Sequence, residues 1–162
     1  METDFRSVAV VRERGHWYED FEVGREFEHH WGRTINAADN SLFTTLTLHF
    51  NPLYFNAEYA RELGHPSEQV NPLLVFTTVF GLSVEDLSEN GGAFLGVDDL
   101  TYHKAVYPGD TLVARSTVHA LRPSGKDPQR GICTWHTRGY NQHGDLVVDF
   151  KRANFVVRRT GV

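Results

Sequence analysis

Three side chains suited to acid–base chemistry lie within one short stretch of the chain, at His49, Asn51 and Tyr54. An imidazole gains or loses a proton near neutral pH. A carboxamide both donates and accepts hydrogen bonds, and a phenol donates one. Such a group predicts general acid–base chemistry. Structural roles stay open for each residue: the imidazole can cap a helix C-terminus, the amide before Pro52 can form a turn, and the phenol can tether itself to backbone.

The element in front of this stretch is predicted to be a helix. Asn36 is a good N-cap, and Asp39, three residues later, can return the hydrogen bond. Pro52 restricts the residue before it, so the helix must end before Asn51. The apolar positions that we expect to face the core are Leu42, Phe43, Leu46 and Leu48. His49 therefore lies close to a helix C-terminus.

Two more helices are predicted after the stretch. A short one spans Asn56–Leu63, and its first residue is the N-cap. The clearest helix has Asn71 as its N-cap and Pro72 at the favoured first position. Leu73–Val84 is apolar nearly all round, which predicts burial on most faces of this helix.

The remaining segments are predicted to be β-strands. One precedes the helices and four follow them, at about Arg25–Thr34, Ala93–Val106, Thr111–Leu121, Gly131–Tyr140 and Leu146–Arg158. Five strands and one buried helix predict an α+β domain, in which a curved antiparallel sheet wraps around a long central helix. We place this domain at 18–162 and treat the charged segment 1–17 as an N-terminal arm. One helix cannot protect both sheet edges, so we expect a homodimer or a higher homo-oligomer.

The composition limits the classes of function that the chain can serve. The chain has 162 residues and a formal net charge of -5, and its mixed charges leave no basic face for nucleic acid. Its longest apolar run is too short for a membrane helix, and we expect no secretory signal. Cys133 cannot form an internal disulfide, and no Cys/His set has zinc spacing. We therefore expect a cytoplasmic protein without a metal site.

Several segments, in the same order along the chain, resemble those of the MaoC-like dehydratases. This hot-dog-fold family includes the (R)-specific enoyl-CoA hydratases. The segments are 18–24 with 32–35, 38–60, 70–84, 106–112 and 137–144. The second contains the sequence Phe50-Asn51-Pro52-Leu53 and the fourth contains Tyr107-Pro108-Gly109-Asp110. The resemblance implies that the α+β domain is a hot-dog fold.

The resemblance also implies a reaction. It is hydration of a 2-enoyl thioester or the reverse dehydration, with the acyl group on coenzyme A or an acyl carrier protein and with no metal or redox cofactor. The family motif has an Asp and, five residues later, a His around Phe-Asn-Pro-Leu. This chain has His49 and Tyr54 at those positions, so its catalytic motif is altered.

The start of the central helix departs from the family as well. There the family uses a backbone N–H, usually of a Gly, to bind the thioester oxygen. This chain has Leu73 at that position, preceded by Pro72, which has no N–H. We expect the N–H of Leu73 to remain available, Leu73 and Leu74 to line the substrate slot, and Ser83 to bond a side chain of the motif.

The leading hypothesis is a hydro-lyase in which His49 activates water, Asn51 orients the water and Tyr54 donates a proton or a hydrogen bond. Residues 81–88 and the pair Phe55-Asn56 are similar to hydratases of short branched or dicarboxylic C5 acyl-CoAs, such as the mesaconyl and itaconyl types. The alternatives are a non-catalytic acyl-thioester-binding subunit and a repurposed biosynthetic cyclase or thioesterase. For hydrolysis the nearest carboxylate is Glu68, which we place in a loop.

Overall fold

A five-stranded antiparallel sheet is the framework of the protein. A computed structural model describes residues 15–159. Its strands are β1 (Glu26–Thr34), β2 (Gly91–Tyr102), β3 (Thr111–Pro123), β4 (Arg130–Tyr140) and β5 (Leu146–Val157). They pair in the order β1-β3-β4-β5-β2, so β1 and β2 form the two edges. This topology confirms the predicted α+β arrangement.

The helices all lie between the two edge strands in sequence. They are α1 (Ala37–Leu46), α2 (Ala57–Glu62), α3 (Pro72–Leu82) and α4 (Val84–Leu87). The predicted N-caps are confirmed, because the side chains of Asn36, Asn56 and Asn71 each accept a backbone N–H of the helix that follows. In return, the side chain of Asp39 accepts a hydrogen bond from the backbone N–H of Asn36 at 3.1 Å.

The long helix α3 packs directly on the sheet. Val75 and Val79 are buried among residues of β3 and β5, including Leu112 and Phe150. A Cβ at Gly139 of β4 would lie 2.5 Å from a methyl group of Val79. The glycine therefore allows the helix backbone to approach the sheet closely enough to bury its apolar side chains.

Helix α1 is turned the opposite way from the prediction. Its buried residues are the polar Asn40 and Thr44. Of the expected core positions, Phe43 is half-buried, whereas Leu42, Leu46 and Leu48 are 60%, 73% and 74% exposed. Apolar periodicity alone would put the leucines inside. The buried hydrogen bonds of the polar pair fix the rotation instead, because a buried amide needs partners.

Helix α3 is buried or half-buried at most of its positions, as predicted, but one stripe along the helix is open. Leu73 is 44% exposed, and Thr77 and Gly81 are also exposed. The sheet covers one side of the helix and leaves another side open. The edge strand β2 is apolar and open as well, with exposed side chains at Phe94, Leu95, Leu100 and Tyr102. Open apolar faces of this kind mark surfaces that another protein unit can cover.

The predicted N-terminal arm, 1–17, lies mostly outside the described residues, and its boundary stays a prediction. At its described end, the ring of His16 packs against Phe21 and Phe27. Its Nδ1 lies 2.7 Å from the carbonyl oxygen of Asp86 in α4. Within residues 15–159, no helix has the length and apolar character needed to cross a membrane.

Candidate functional site

Two buried asparagines join the loop 49–54 to the start of α3. The Nδ2 of Asn40 donates to the backbone carbonyls of Tyr54 and Gln69, at 2.8 Å and 2.9 Å. Its Oδ1 accepts the backbone N–H of Asn71 at 2.8 Å. Both asparagine side chains are fully buried. A satisfied buried amide network specifies one geometry, so the loop is held beside the helix.

The side chain of Asn71 sets the orientation of the His49 ring. Its Oδ1 accepts the backbone N–H of Leu73 at 3.0 Å, so its Nδ2 must point the other way. That Nδ2 donates to Nδ1 of His49 at 3.1 Å and to the hydroxyl of Thr44 at 3.3 Å. Since Nδ1 accepts a hydrogen bond, the neutral ring carries its proton on Nε2.

This geometry corrects the base role expected for His49. The nitrogen that could take a proton from water faces the buried amide of Asn71. The remaining nitrogen, Nε2, is a donor in the neutral ring. His49 therefore presents an N–H group, which can bind a developing negative charge but cannot activate water without a change of tautomer.

A sharp turn precedes the His49 ring. Leu48 has a φ of 56°, in the left-handed region that a non-glycine residue rarely adopts. The next backbone N–H, that of His49, returns to the carbonyl of Thr44 at 3.1 Å. Such a conformation costs roughly 1–2 kcal/mol for an L-residue. The strained backbone at Leu48 ends α1 and directs the His49 ring toward α3.

Tyr54 lines an open cleft of about 240 Å³ at the N-terminal end of α3. Its ring packs edge-on against His49, with ring centroids 5.2 Å apart and planes at 69°. Within residues 15–159 the hydroxyl of Tyr54 has no hydrogen-bond partner. Across the cleft, the hydroxyl of Tyr102 donates to the carbonyl of Pro72 at 2.8 Å. Tyr54 is therefore the phenol that can donate to a ligand.

The backbone donors at the start of α3 are all engaged by Asn71. Pro72 has no N–H, and the N–H of Leu73 donates to the Asn71 side chain. The N–H groups of Leu74 and Val75 donate to the carbonyl of Asn71 at 2.9 Å and 3.1 Å. The expectation that the Leu73 N–H stays available is corrected, because the N-cap takes it. A thioester oxygen must find its donors among side chains.

Asn51 does not line the cleft of Tyr54. Its Oδ1 accepts the backbone N–H of Leu53 at 3.1 Å and so caps the short 3₁₀ turn Pro52–Tyr54. The side chain is otherwise exposed. The turn role left open for this residue is the one that the structure displays.

The three expected substrate contacts along α3 are dispersed. Leu74 lines a different groove of about 220 Å³, between α1 and α3, and the side chain of Leu73 lines neither of these two grooves. Ser83 lies at the opposite end of the helix, where its hydroxyl donates to the carbonyl of Phe80 at 2.7 Å. It is fully buried. The expected bond from Ser83 to the motif is corrected, because helical serines bond their own preceding turn.

A second set of hydrogen-bonded polar side chains was not predicted from the sequence. His29 Nδ1 lies 2.6 Å from a carboxylate oxygen of Asp86, its Nε2 lies 2.9 Å from the hydroxyl of Ser116, and that hydroxyl lies 2.8 Å from Thr137 Oγ1. Burial lowers the pKa of His29. Ser116 is 1% exposed, so a substrate cannot reach it. This hydrogen-bond network links β1 to α4 and has a structural role.

Metal binding and thiol chemistry have no visible place in the described part of the chain. Residues 15–159 contain no group of three or more His, Cys, Asp or Glu side chains placed to hold a metal ion. Cys133 is buried in the sheet, and burial raises the pKa of its thiol to about 12. A thiol in that state is a packing residue rather than a nucleophile.

Comparison with known proteins gives a consistent family. Residues 3–162 match the family model described as Mesaconyl-CoA hydratase. The mesaconyl-CoA hydratase of Haloarcula marismortui is 39% identical over 152 residues, which are 93% of this chain and 42% of that protein. The chain therefore spans less than half the length of this relative.

Solved structures share the fold. A MaoC-domain dehydratase from Chloroflexus aurantiacus superposes with a TM-score of 0.85 at 36% identity, over 90% of this chain and 41% of that one. A MaoC-like dehydratase from Rhodospirillum rubrum superposes with a TM-score of 0.79 at 26% identity, over 90% of this chain and 99% of that one. The expected MaoC-like hot-dog fold is confirmed, and one such unit forms a whole chain in one relative but less than half in another.

Proposed function

Because this chain belongs to the mesaconyl-CoA hydratase family, we propose that it serves in a hydro-lyase reaction on a short 2-enoyl or 3-hydroxyacyl thioester of coenzyme A. The observation that carries the proposal is the cleft at the start of α3, where Tyr54 presents an unpaired hydroxyl. The names of the relatives support a C5 dicarboxylic acyl group. Such a reaction moves only water and protons, so we propose that it needs no metal or redox cofactor.

Hydration adds the oxygen of water to the β carbon and a proton to the α carbon, while negative charge develops on the thioester oxygen. We assign the hydroxyl of Tyr54 as a donor to that oxygen. His49, whose ring packs against Tyr54, is not among the residues that line the cleft. A donor aimed at a developing oxyanion is worth on the order of 10²–10³ in rate.

A second candidate is an acyl-thioester-binding unit that leaves water activation to a partner. The geometry of His49 favours it, because Nε2 can accept a proton only after Asn71 releases Nδ1. Within residues 15–159, no carboxylate lines the cleft of Tyr54. Glu68 is not among its lining residues, so nothing in the cleft supports a thioesterase. In this second candidate function, the base that activates water comes from another hot-dog unit.

We also propose that the partner is a second hot-dog unit, in the simplest case another copy of this chain, paired along β2. That edge presents unpaired backbone groups and exposed apolar side chains. The open side of α3 would be covered by the same partner. We place the protein in the cytoplasm, where a lone buried cysteine stays reduced.

The test is to incubate the purified chain with mesaconyl-CoA or crotonyl-CoA and to follow both the enoyl absorbance and free thiol. We expect loss of enoyl absorbance without release of thiol. Tyr54→Phe keeps the ring contact with His49 and removes the donor, so kcat should fall on the order of 10²–10³-fold. Tyr59→Phe, in α2 outside the cleft, is the matched control and should retain the activity.

Each other outcome has a definite meaning. Binding of a saturated acyl-CoA without hydration supports the second candidate, and addition of a partner that carries a base should then restore turnover. Release of thiol contradicts both candidates. Absence of both turnover and acyl-CoA binding overturns the proposal as a whole.

A further inference from the structure

Resting on the proposed function, we propose that Lys104 selects acyl groups that end in a carboxylate, and so determines specificity at this cleft. Lys104 follows β2 and lines the same cleft as Tyr54. In a short unsaturated dicarboxylic thioester, the free carboxylate lies across the double bond from the thioester carbon. A site that holds the thioester beside Tyr54 must therefore accommodate that carboxylate nearby.

The cleft has an uneven distribution of charge. The residues that line it include the apolar Val70 and Val75 and the basic His103 and Lys104. Within residues 15–159, no acidic side chain lines it. An anion that enters the cleft therefore meets the cation of Lys104, whose partner carboxylate on Asp145 lies outside the lining.

An ion pair with Asp145 positions Lys104 but does not use all of its hydrogen-bond donors. Its ammonium lies 2.5 Å from a carboxylate oxygen of Asp145, which also accepts a hydrogen bond from Asn141 Nδ2 at 3.1 Å. A lysine has three donors, so this bond leaves two. The Lys104 and Asp145 side chains are 55% and 38% exposed. An ion pair this open contributes little stability of its own and can share its cation with an incoming carboxylate.

The other basic groups nearby are committed elsewhere. His103 Nε2 lies 2.6 Å from Asp149 Oδ1, and the second oxygen of that carboxylate lies 2.5 Å from His136. Arg33 lines the separate groove between α1 and α3 and pairs with Asp39 at 3.0 Å. Lys104 is thus the cation that the cleft offers to a ligand.

The test compares Lys104→Met on two substrates, mesaconyl-CoA and crotonyl-CoA, which lacks the carboxylate. A hydrogen bond to a charged group contributes enough to change kcat/KM about 10- to 100-fold. We expect a loss of that size for mesaconyl-CoA and a change within about twofold for crotonyl-CoA. Lys104→Arg keeps the charge and should retain most of the preference.

The matched control is Lys151→Met, which removes an ion pair with Asp99 outside the cleft and should leave the preference intact. Equal losses on both substrates, or none on mesaconyl-CoA, would overturn the role of Lys104 while leaving the hydratase proposal standing. If the chain binds thioesters without turning them over, calorimetry with methylsuccinyl-CoA and butyryl-CoA measures the same preference. A wild-type preference for butyryl-CoA there also contradicts the inference.

Discussion

Asn71 decides which nitrogen of His49 carries the proton, although its own side chain is fully buried. The side-chain amide of Asn71 cannot flip, because its oxygen must face the Leu73 N–H that it accepts. A neighbouring hydrogen bond commonly fixes the tautomer of a functional histidine. Here that bond comes from an amide rather than a carboxylate, and it makes the exposed side of the ring a donor.

Asn71→Asp should reverse this arrangement. A carboxylate accepts from both Leu73 N–H and a proton on Nδ1 of His49, so Nε2 becomes the acceptor. We expect ¹⁵N NMR to show the proton moving from Nε2 to Nδ1.

Asn51→Asp provides the control for that experiment, since the same chemical change falls on an exposed residue that caps its own turn. The His49 tautomer should be unaffected there. A proton that stays on Nε2 in Asn71→Asp would contradict the assignment.

The spacing of His49 and Tyr54 could be recognised from the sequence because both lie in one short loop. The contact between His49 and Asn71 could not, since the two residues are 22 positions apart and only the approach of loop and helix brings them together. The residue pattern predicted Asn71 as an N-cap but not as the residue that orients the His49 ring.

Among the secondary-structure elements, local signals predicted more than burial signals did. Caps and proline positions fixed the starts of α1, α2 and α3, since those contacts span only a few residues. The face that α1 buries was predicted wrongly, because Asn40 bonds to Tyr54 and Gln69 across the fold. Hydrophobic periodicity carries no information about such distant partners.

The hydrogen bond between His29 of β1 and Asp86 of α4 should make the stability of the protein depend on pH. Burial lowers the pKa of His29 in the folded state, below the reference value near ~6.5 for an unfolded chain. The unfolded state therefore binds the proton more readily, and stability that is complete above that value is lost as the pH falls below it. We expect urea midpoints to decline between about pH 7.5 and 5.

His29→Gln should flatten this decline and, at neutral pH, cost about 1–3 kcal/mol through the lost bonds to Asp86 and Ser116. The neighbouring His30 is exposed, packs against the ring of Trp31, and lies 3.7 Å from a carboxylate oxygen of Glu85. His30→Gln should therefore retain the pH dependence. A decline that is equally steep in both variants would assign it to another group.

The whole molecule has two unequal edges. Along β2 the side chains of Leu95 and Leu100 are 44% and 37% exposed, whereas on β1 the exposed Trp31 is bonded to Glu85. The five strands and the central helix follow from patterns within the chain, whereas the strand order was not predicted. How units associate cannot be derived that way, since the contacts belong to a second surface.

Leu95→Lys combined with Leu100→Lys should convert a dimer into a monomer in sedimentation experiments, since charges on an edge strand oppose pairing. Trp31→Lys places the same charge on the other edge and should leave the dimer intact. Dissociation by the β1 variant instead, or a wild-type chain that sediments as a monomer, would contradict pairing through β2.

The hydrogen bond from Tyr102 to Pro72 joins the last residue of β2 to the first residue of α3. One end of this bond lies on the edge strand and the other at the mouth of the acyl cleft. Under the proposed pairing along β2, we expect association and occupancy of the cleft to be linked equilibria, and linkage is reciprocal. A thioester that orders Tyr102 is then expected to tighten the assembly, and dilution to weaken the binding of the thioester.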